Sequence, residues 1–419
     1  MRIAVVGTGI SGAAAAWLLS RRHEVHVFER EGRPGGHTHT VAVPRGDGSS
    51  LGVDTGFIVY NEATYPLLVR LFDELGVATQ ASDMSWSLRC ERCDLEYAGS
   101  ARGIVAQPTN LASPGYLRML ADIARFNRLG ARLTDDPRTT SLTIGRFLEV
   151  AGFGHGFRAH YLLPMAAAIW SSGTGTIEAF PLATLLRFFA NHGLLGVTTH
   201  HAWRTVVGGT SAYLAPLTAP FRDRLHLTSP VSEVRRDRDG VDLAFGDGAT
   251  HRFDAVVLAA HADESLAMLA DPSERERTLL SAWEYSVNDT VLHTDTELLP
   301  RRRSAWASWN YLLDDCTRPS EQVSLSYHMN RLQSLEEPRE YVVTLNPATP
   351  PAPASVLRHL TYTHPRYTRA SVVAQAELDE LNGRRRTFYV GAYQRYGFHE
   401  DGLWSAVRAA QHLGVRWPT

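Results

Sequence analysis

Ile3 to Val6 is an unbroken run of small and β-branched apolar residues, the pattern of a strand buried on both faces. An Ala-rich helical stretch follows through Arg22, and Glu24 to Phe28 returns to strand character, so the chain opens on a strand–helix–strand unit. Leu51 to Tyr60 reads as a further strand. Tyr65 to Leu75 sets Leu68, Leu71, Phe72 and Leu75 on one face of an amphipathic helix. From about residue 80 the pieces shorten. A helical stripe of Tyr116, Leu120, Ile123 and Leu133 then opposes Arg118, Asp122, Arg125 and Arg132. Tyr161 to Leu195 is long and mostly apolar, and Pro164 and Pro181 divide it into several helices.

After Trp203 the pattern predicts a helix over Ser211 to Phe221, opened by Gly208-Gly209-Thr210. Strands follow at Leu225 to Leu227, Val231 to Arg235, Val241 to Phe245 and Phe253 to Ala259, with Gly246-Asp247-Gly248 as a hairpin turn. Val287 to His293, Ala305 to Leu312, Gln322 to Met329 and Tyr341 to Leu345 predict neighbouring strands of an antiparallel sheet carrying Trp306, Trp309, Tyr311 and Tyr327. Thr387 to Val390 predicts a last strand and Leu403 to Leu413 a last helix.

The chemistry sits first at the strand–helix junction. Gly7, Gly9 and Gly12 make G-x-G-x-x-G between a predicted strand and helix, and Glu29 ends the second strand. This is the order a dinucleotide requires. Gly7 permits the tight turn, Gly9 admits backbone to a pyrophosphate, and Gly12 lets helix pack on strand. The helix start at Ile10 and Ser11 offers unpaired N–H groups to phosphate, and Glu29 is placed to accept from ribose hydroxyls. The acidic strand end turns a weak motif into a strong one.

Beyond Glu29 and Arg30 comes Arg33-Pro34-Gly35-Gly36-His37-Thr38. It resembles the second fingerprint of FAD proteins of the glutathione-reductase type, in the branch holding amine oxidases, protoporphyrinogen oxidase and phytoene desaturases. His37 stands where that branch usually has Arg or Lys. The resemblance implies an α/β fold: an FAD-binding Rossmann domain with an inserted α+β substrate domain, amine-oxidase-like. It places the discontinuous FAD domain at 1–79, 203–263 and 376–419, and the substrate domain at 80–202 and 264–375. It also implies that Gly56 and Phe57 pass the flavin, that Val231 pairs its backbone with the adenine, and that Gly391 follows the strand closing on the dinucleotide. The last helix, with Glu400, Asp401, Gly402 and Leu403 at its start, would aim its N-terminus at the flavin pyrimidine. His399 is the candidate acid/base beside the ring. Asp401 also reads as an N-cap. Asp54 reads equally as a flavin neighbour or a strand-end carboxylate.

Composition narrows the rest. The 419-residue chain has a formal charge of −2 and no basic stripe, which argues against nucleic acid as a partner. Every basic side chain is Arg apart from histidine, so no lysine can act as Schiff base or general base. Three cysteines point to a reducing, cytoplasmic setting without a disulfide framework. No signal peptide is expected ahead of the first strand, and no apolar run is long enough for a membrane span. Cys90 and Cys93 form one C-x2-C with no second C-x2-C or H-x3-H to complete a zinc site, so reduced structural thiols and no metal are expected. A redox pair is the alternative, without the βα setting of a thioredoxin-like motif. His192, His200 and His201 read as ordinary histidines. The triplets Arg301 to Arg303 and Arg384 to Arg386 read as solvated, or as a peripheral membrane contact.

Across nearly its whole length the chain resembles a bacterial family of FAD-binding proteins related to amine oxidases. VDTGFIVYNEATYP, AAAIWSS, FFANHGLL, the W-x-T-V-x-G-G-T run at Trp203, YHMNRLQSL and GAYQRYGFHEDG carry that likeness. Members often stand beside enzymes resembling cyclopropane-fatty-acid synthases. The resemblance implies non-covalent FAD and hydride removal from a C–H bond of a lipophilic fatty-acyl or isoprenoid substrate. The electrons would pass to oxygen, a quinone or another carrier, since a second nucleotide motif for NAD(P)H is missing; NAD(P)H as direct donor is the less favoured alternative. The amine oxidases' lysine near the flavin is impossible here. Amine or amino-acid oxidation remains the second reading, and a non-catalytic flavin-binding partner of a lipid-modifying complex the third.

Overall fold

A computed structural model describes residues 1–196 and 201–417, so the expectation for His200 lies outside the described residues. The strand–helix–strand start forms as Arg2–Val6, Ile10–Leu19 and Glu24–Phe28. These strands join a parallel five-stranded sheet in the order Leu225–His226, Glu24–Phe28, Arg2–Val6, Ala255–Leu258, Thr387–Tyr389. Segments far apart in sequence therefore share one sheet. The N-terminal helix is buried on every side. It packs against the last helix, His399–His412, where a Cβ on Gly402 would lie 2.7 Å from Ser11 Oγ.

The second large sheet has seven strands: Val356–Arg366, Glu284–His293, Val342–Leu345, Leu325–His328, Trp309–Leu313, Trp86–Cys90 and Leu95–Ala98. The expected antiparallel sheet is thus mixed. Trp309–Leu313 runs parallel to Trp86–Cys90, joining the two excursions of the chain. A three-stranded meander, Val231–Arg236, Val241–Phe245 and Thr250–Phe253, stands apart.

Several elements differ from expectation for local reasons. The helix expected over Ser211 to Phe221 is instead Thr210–Tyr213, Leu214–Thr218 and Ala219–Arg224, the outer two being 3-10 turns. Pro216 and Pro220 supply no N–H to a continuous ladder. The strand expected through Tyr60 stops at Asp54. The last helix begins four residues before the expected Leu403, because the extended Phe398 opens it and Asp401 closes its first turn. Leu182–Asn191 starts directly after Pro181 as expected, but Pro164 sits inside a run continued from a single π turn, Arg158–Leu162, into Leu163–Trp170.

The Cys90/Cys93 pair is not isolated, contrary to expectation. His160 and Cys316, remote in sequence, bring their ligand atoms to it, and all four lie within 4.8 Å of one another. Among the described residues no helix is long and apolar enough to cross a membrane. The arginine triplets are engaged within the protein: Arg301 pairs with Glu91 and Asp94, Arg302 with Glu96, and Arg385 with Asp271.

Candidate active site

Gly7 adopts φ +100° and donates its N–H to Phe28 O at 2.8 Å, which fixes the turn against the second strand. A Cβ on Gly12 would stand 2.0 Å from Gly7 O, so helix and turn meet only without a side chain there. Gly9 is different. A Cβ on it would meet no protein atom within 4 Å, and Gly9 lines a large cavity with Gly7, Ile10 and Ser11. The second glycine loop lies on the first, with Gly36 3.1 Å from Gly9 Cα when given a Cβ. Thr8 Oγ1 accepts from Gly35 N at 3.1 Å, and Arg33 donates to Gly36 O at 2.9 Å. Glu29 accepts from Thr8 N at 2.9 Å with one oxygen and from Glu31 N at 3.0 Å with the other. The first oxygen also accepts from the Thr8 hydroxyl, so it is the oxygen facing Glu31 N that keeps acceptor capacity for a ligand in the cavity Glu29 lines.

Further along the cavity, His37 packs against Tyr362 and His364, with ring centroids at 5.0 and 5.2 Å. Burial pushes the His37 imidazole down to about 4 and His364 to about 3. His37 Nε2 is a buried polar atom without a protein partner among the described residues, as are the Tyr367 and Tyr393 hydroxyls on the same cavity. His399 stacks on Phe57 at 3.6 Å, and its Nε2 is 3.1 Å from Thr38 Oγ1. Burial holds His399 neutral, at about 3. It enters the site as a neutral imidazole already engaged by a hydroxyl, which disfavours the acid/base role expected from sequence.

Of the sequence candidates, Gly7, Gly9, Ile10, Ser11, Glu29, Arg30, Arg33, Gly35, Gly36, His37, Gly56, Phe57, Val231, Gly391 and His399 line this one cavity. Six do not, and each has another role. Gly12 and Gly402 allow close packing. Thr38 bonds the Tyr213 hydroxyl as well as His399. Leu403 is fully buried in the core. Glu400 accepts from Leu67 N and Leu68 N at 3.0 Å, capping the helix Pro66–Leu75. Asp401 accepts from Phe398 N at 2.9 Å and Tyr396 N at 3.2 Å, so it closes its helix from the third position rather than as the N-cap. Gly56 does approach closely, but to backbone: its Cβ would stand 2.1 Å from His37 O. Asp54 lies outside the cavity lining. It accepts from Thr210 N at 2.8 Å and Thr40 Oγ1 at 2.5 Å, and burial pushes it up to about 7.

The cavity measures about 1660 Å³, well above the roughly 300–1,000 Å³ of a site for one small ligand. Its other wall is apolar and aromatic. Ile104, Leu120 and Ile123 come from one helical layer, Tyr161, Met165 and Ile169 from the next, and Trp86, Trp309 and Tyr327 from the seven-stranded sheet. The helical periodicity marked Leu120 and Ile123 as buried but did not show that they face a void. Among the described lining residues the carboxylates are Glu29, Glu31 and Glu264, all beside the glycine loops or the helix Ala262–Met268.

The neutral histidines make the ligand-free protein acid-sensitive. His37, His192 and His293 are held at about 4, and His364 and His399 at about 3, by burial. Unfolding returns each to about 6.5. The unfolded chain therefore binds more protons between pH 6.5 and 4, and stability falls as pH drops through that window. Asp54 and Asp401, raised by burial to about 7, work the other way but are fewer. Urea unfolding is expected to show a loss on the order of 3 kcal/mol from pH 7 to pH 5. An unchanged or higher midpoint at pH 5 would contradict the neutral assignments.

A family model described as flavin containing amine oxidoreductase matches residues 10–414. Among solved structures, a CLA-producing fatty acid isomerase from P. acnes is 17% identical with a TM-score of 0.66, covering 97% of this chain and 97% of its own. A putrescine oxidase bound to putrescine is 14% identical with a TM-score of 0.69, over 99% and 100% of the two chains. Cyclohexylamine oxidase from Brevibacterium oxydans IH-35A is 16% identical with a TM-score of 0.68, over 99% of each. These structural likenesses are of fold. A search of curated proteins finds no match.

Proposed function

We infer, for a chain that belongs to the flavin-containing amine oxidoreductase family, that the cofactor is non-covalent FAD and that the substrate is lipophilic. The open cradle at Gly9 and the unpartnered His37 Nε2 fit a dinucleotide lying along the glycine loops. In this reading the N–H groups at Ile10 and Ser11 hold the pyrophosphate, Glu29 accepts from the ribose, Val231 borders the adenine, and Phe57, His37 and His399 wall the ring. None of the three cysteines lines the cavity, which leaves no thiol for a cysteinyl link to the flavin. When bound, FAD supplies the hydride acceptor for a two-electron oxidation and passes the electrons on to oxygen, a quinone or another carrier.

The observation that carries the substrate class is the far wall. Leu120, Ile123, Met165, Ile169, Trp86 and Trp309 orient an apolar chain and exclude water, and no carboxylate stands among them to balance an ammonium group. The fatty acid isomerase shares this fold, so the scaffold accommodates an acyl substrate. Amine oxidation is the second reading, favoured by the family description and the two amine oxidases.

The purified protein is expected to be yellow and to release FAD on denaturation. Anaerobic titration with fatty-acyl lipids, isoprenoids and amines then separates the readings. Bleaching by an acyl or isoprenoid compound supports the inference, bleaching by amines alone overturns the substrate class, and a protein that cannot be reconstituted with FAD overturns the cofactor.

A further inference from the structure

We propose that Cys90, Cys93, His160 and Cys316 form a four-ligand structural zinc site that ties the seven-stranded sheet to the helical wall of the cavity. All three cysteines of the 419-residue chain meet at this point. Their sulfurs and a nitrogen of His160 lie within 4.8 Å of one another, and Cys93 Sγ is 3.4 Å from His160 Nε2. Ligands of a tetrahedral zinc stand about 3.5–3.8 Å apart, given Zn–S and Zn–N lengths of about 2.3 and 2.1 Å. A shift of a few tenths of an ångström per ligand closes the site.

Three separate pieces of backbone bring the donors in. Cys90 ends the strand Trp86–Cys90, and Cys93 sits in the turn to Leu95–Ala98, which Asp94 completes with φ +52°. Cys316 follows the strand Trp309–Leu313, whose parallel pairing puts Leu313 beside Cys90. Bonds from Glu91 N to Leu313 O at 2.8 Å and from Arg92 N to Asp314 O at 3.1 Å hold the two loops side by side. His160 comes from the single π turn Arg158–Leu162, an irregularity that re-aims one side chain and is common at functional sites. Its own carbonyl accepts from the Tyr97 hydroxyl at 2.7 Å.

A disulfide would use two of the thiols and leave the third and the imidazole pointing at it. A soft divalent ion uses all four donors at once, and thiolates with imidazole select zinc. Four protein ligands leave no open position, so the site is structural. None of the four lines the cavity, but the π turn carrying His160 leads into Leu163–Trp170, whose Met165 and Ile169 do. The proposal stands independently of the flavin and its substrate.

Protein purified under reducing conditions, without a metal-affinity step, is expected to contain about one zinc per chain by elemental analysis. The Cys316→Ser variant should hold at least tenfold less, with far-ultraviolet circular dichroism and cooperative thermal unfolding as the check that it is folded. Chelator-stripped wild type titrated with cobalt(II) should develop the absorption of tetrahedral thiolate-bound cobalt, at wavelengths beyond the flavin bands, and Cys93→Ala, in the exposed turn, should weaken it. Absence of zinc together with absence of that cobalt spectrum in the reduced wild type overturns the proposal. So does zinc content unaffected by both substitutions, or a Cys90–Cys93 disulfide found by mass spectrometry in freshly isolated protein.

Discussion

Gly9→Val is expected to fold with wild-type secondary structure and to purify without flavin. A Cβ at Gly9 would meet no protein atom within 4 Å, so the fold itself places no demand on this glycine. The space it leaves belongs to the cavity, at the start of the helix Ile10–Leu19 where unpaired N–H groups face inward. On the proposed reading, the added isopropyl group would occupy the place of a phosphate and hold it off those donors. Binding should weaken by at least about 100-fold, or roughly 2.7 kcal/mol. Gly12→Val supplies the contrast. Its Cβ would stand 2.0 Å from Gly7 O, backbone that cannot swing aside, so this variant should lose the fold along with the flavin. The measurements are the ratio of flavin to protein absorbance, far-ultraviolet circular dichroism and thermal unfolding for both. A Gly9→Val protein that retained stoichiometric flavin would show that the cofactor does not lie over this turn.

The contrast between these glycines also shows what the sequence can and cannot disclose. The motif and its strand–helix–acid context located the turn, and Gly7, Gly9 and Gly12 are where the spacing put them. Local patterns work there because one short unit carries both the fold and the recognition. The last helix was harder. The sequence aims the start of this helix at a ring and lets Asp401 cap it, yet of His399 to Leu403 only His399 lines the cavity. Which face of a first turn points inward depends on its partners. Glu400 turns to the helix Pro66–Leu75, which local sequence does not reveal, whereas Asp401 turns back to its own preceding loop, close to its capping reading. The cysteine cluster was invisible for the same reason. Its spacing in sequence is set by a parallel pairing between strands more than 200 residues apart, so no motif could contain it. The Asp54 carboxylate ends the strand Ser50–Asp54, in line with one of its two readings, and is bonded both by the nearby Thr40 and by the remote Thr210.

Glu276→Gln is expected to cost about 3–5 kcal/mol of folding stability, the range for breaking a buried ion pair on one side. The Arg236 side chain is 0% exposed and that of Glu276 4%, so neither reaches bulk water. Arg236 Nη2 donates to Glu276 Oε2 at 3.0 Å, and Arg236 Nε to Asp271 at 3.0 Å. Glu276 also accepts from the Tyr389 hydroxyl at 2.6 Å and from Ser273 N at 2.7 Å. These residues come from the meander strand Val231–Arg236, the helix Glu274–Leu280 and the last parallel strand Thr387–Tyr389, so one carboxylate fastens three elements behind the cavity. Burial alone would raise its pKa, but the bonds from Arg236, Tyr389 and Ser273 outweigh that and hold it at about 2. Its folded value lies below the unfolded one, so its stabilisation is fully present above about pH 4.5 and is lost as pH falls through 2. The penalty of Glu276→Gln is therefore constant from pH 6 to 8 in urea unfolding, unlike that of the histidines. Because most of the loss comes from the guanidinium left without its strongest partner, removing both charges should recover much of it. Arg236→Met combined with Glu276→Leu is expected to be more stable than Glu276→Gln alone, with a coupling energy above about 1 kcal/mol. Additive penalties would mean that the two side chains stabilise the protein through separate contacts and that the ion pair itself contributes little.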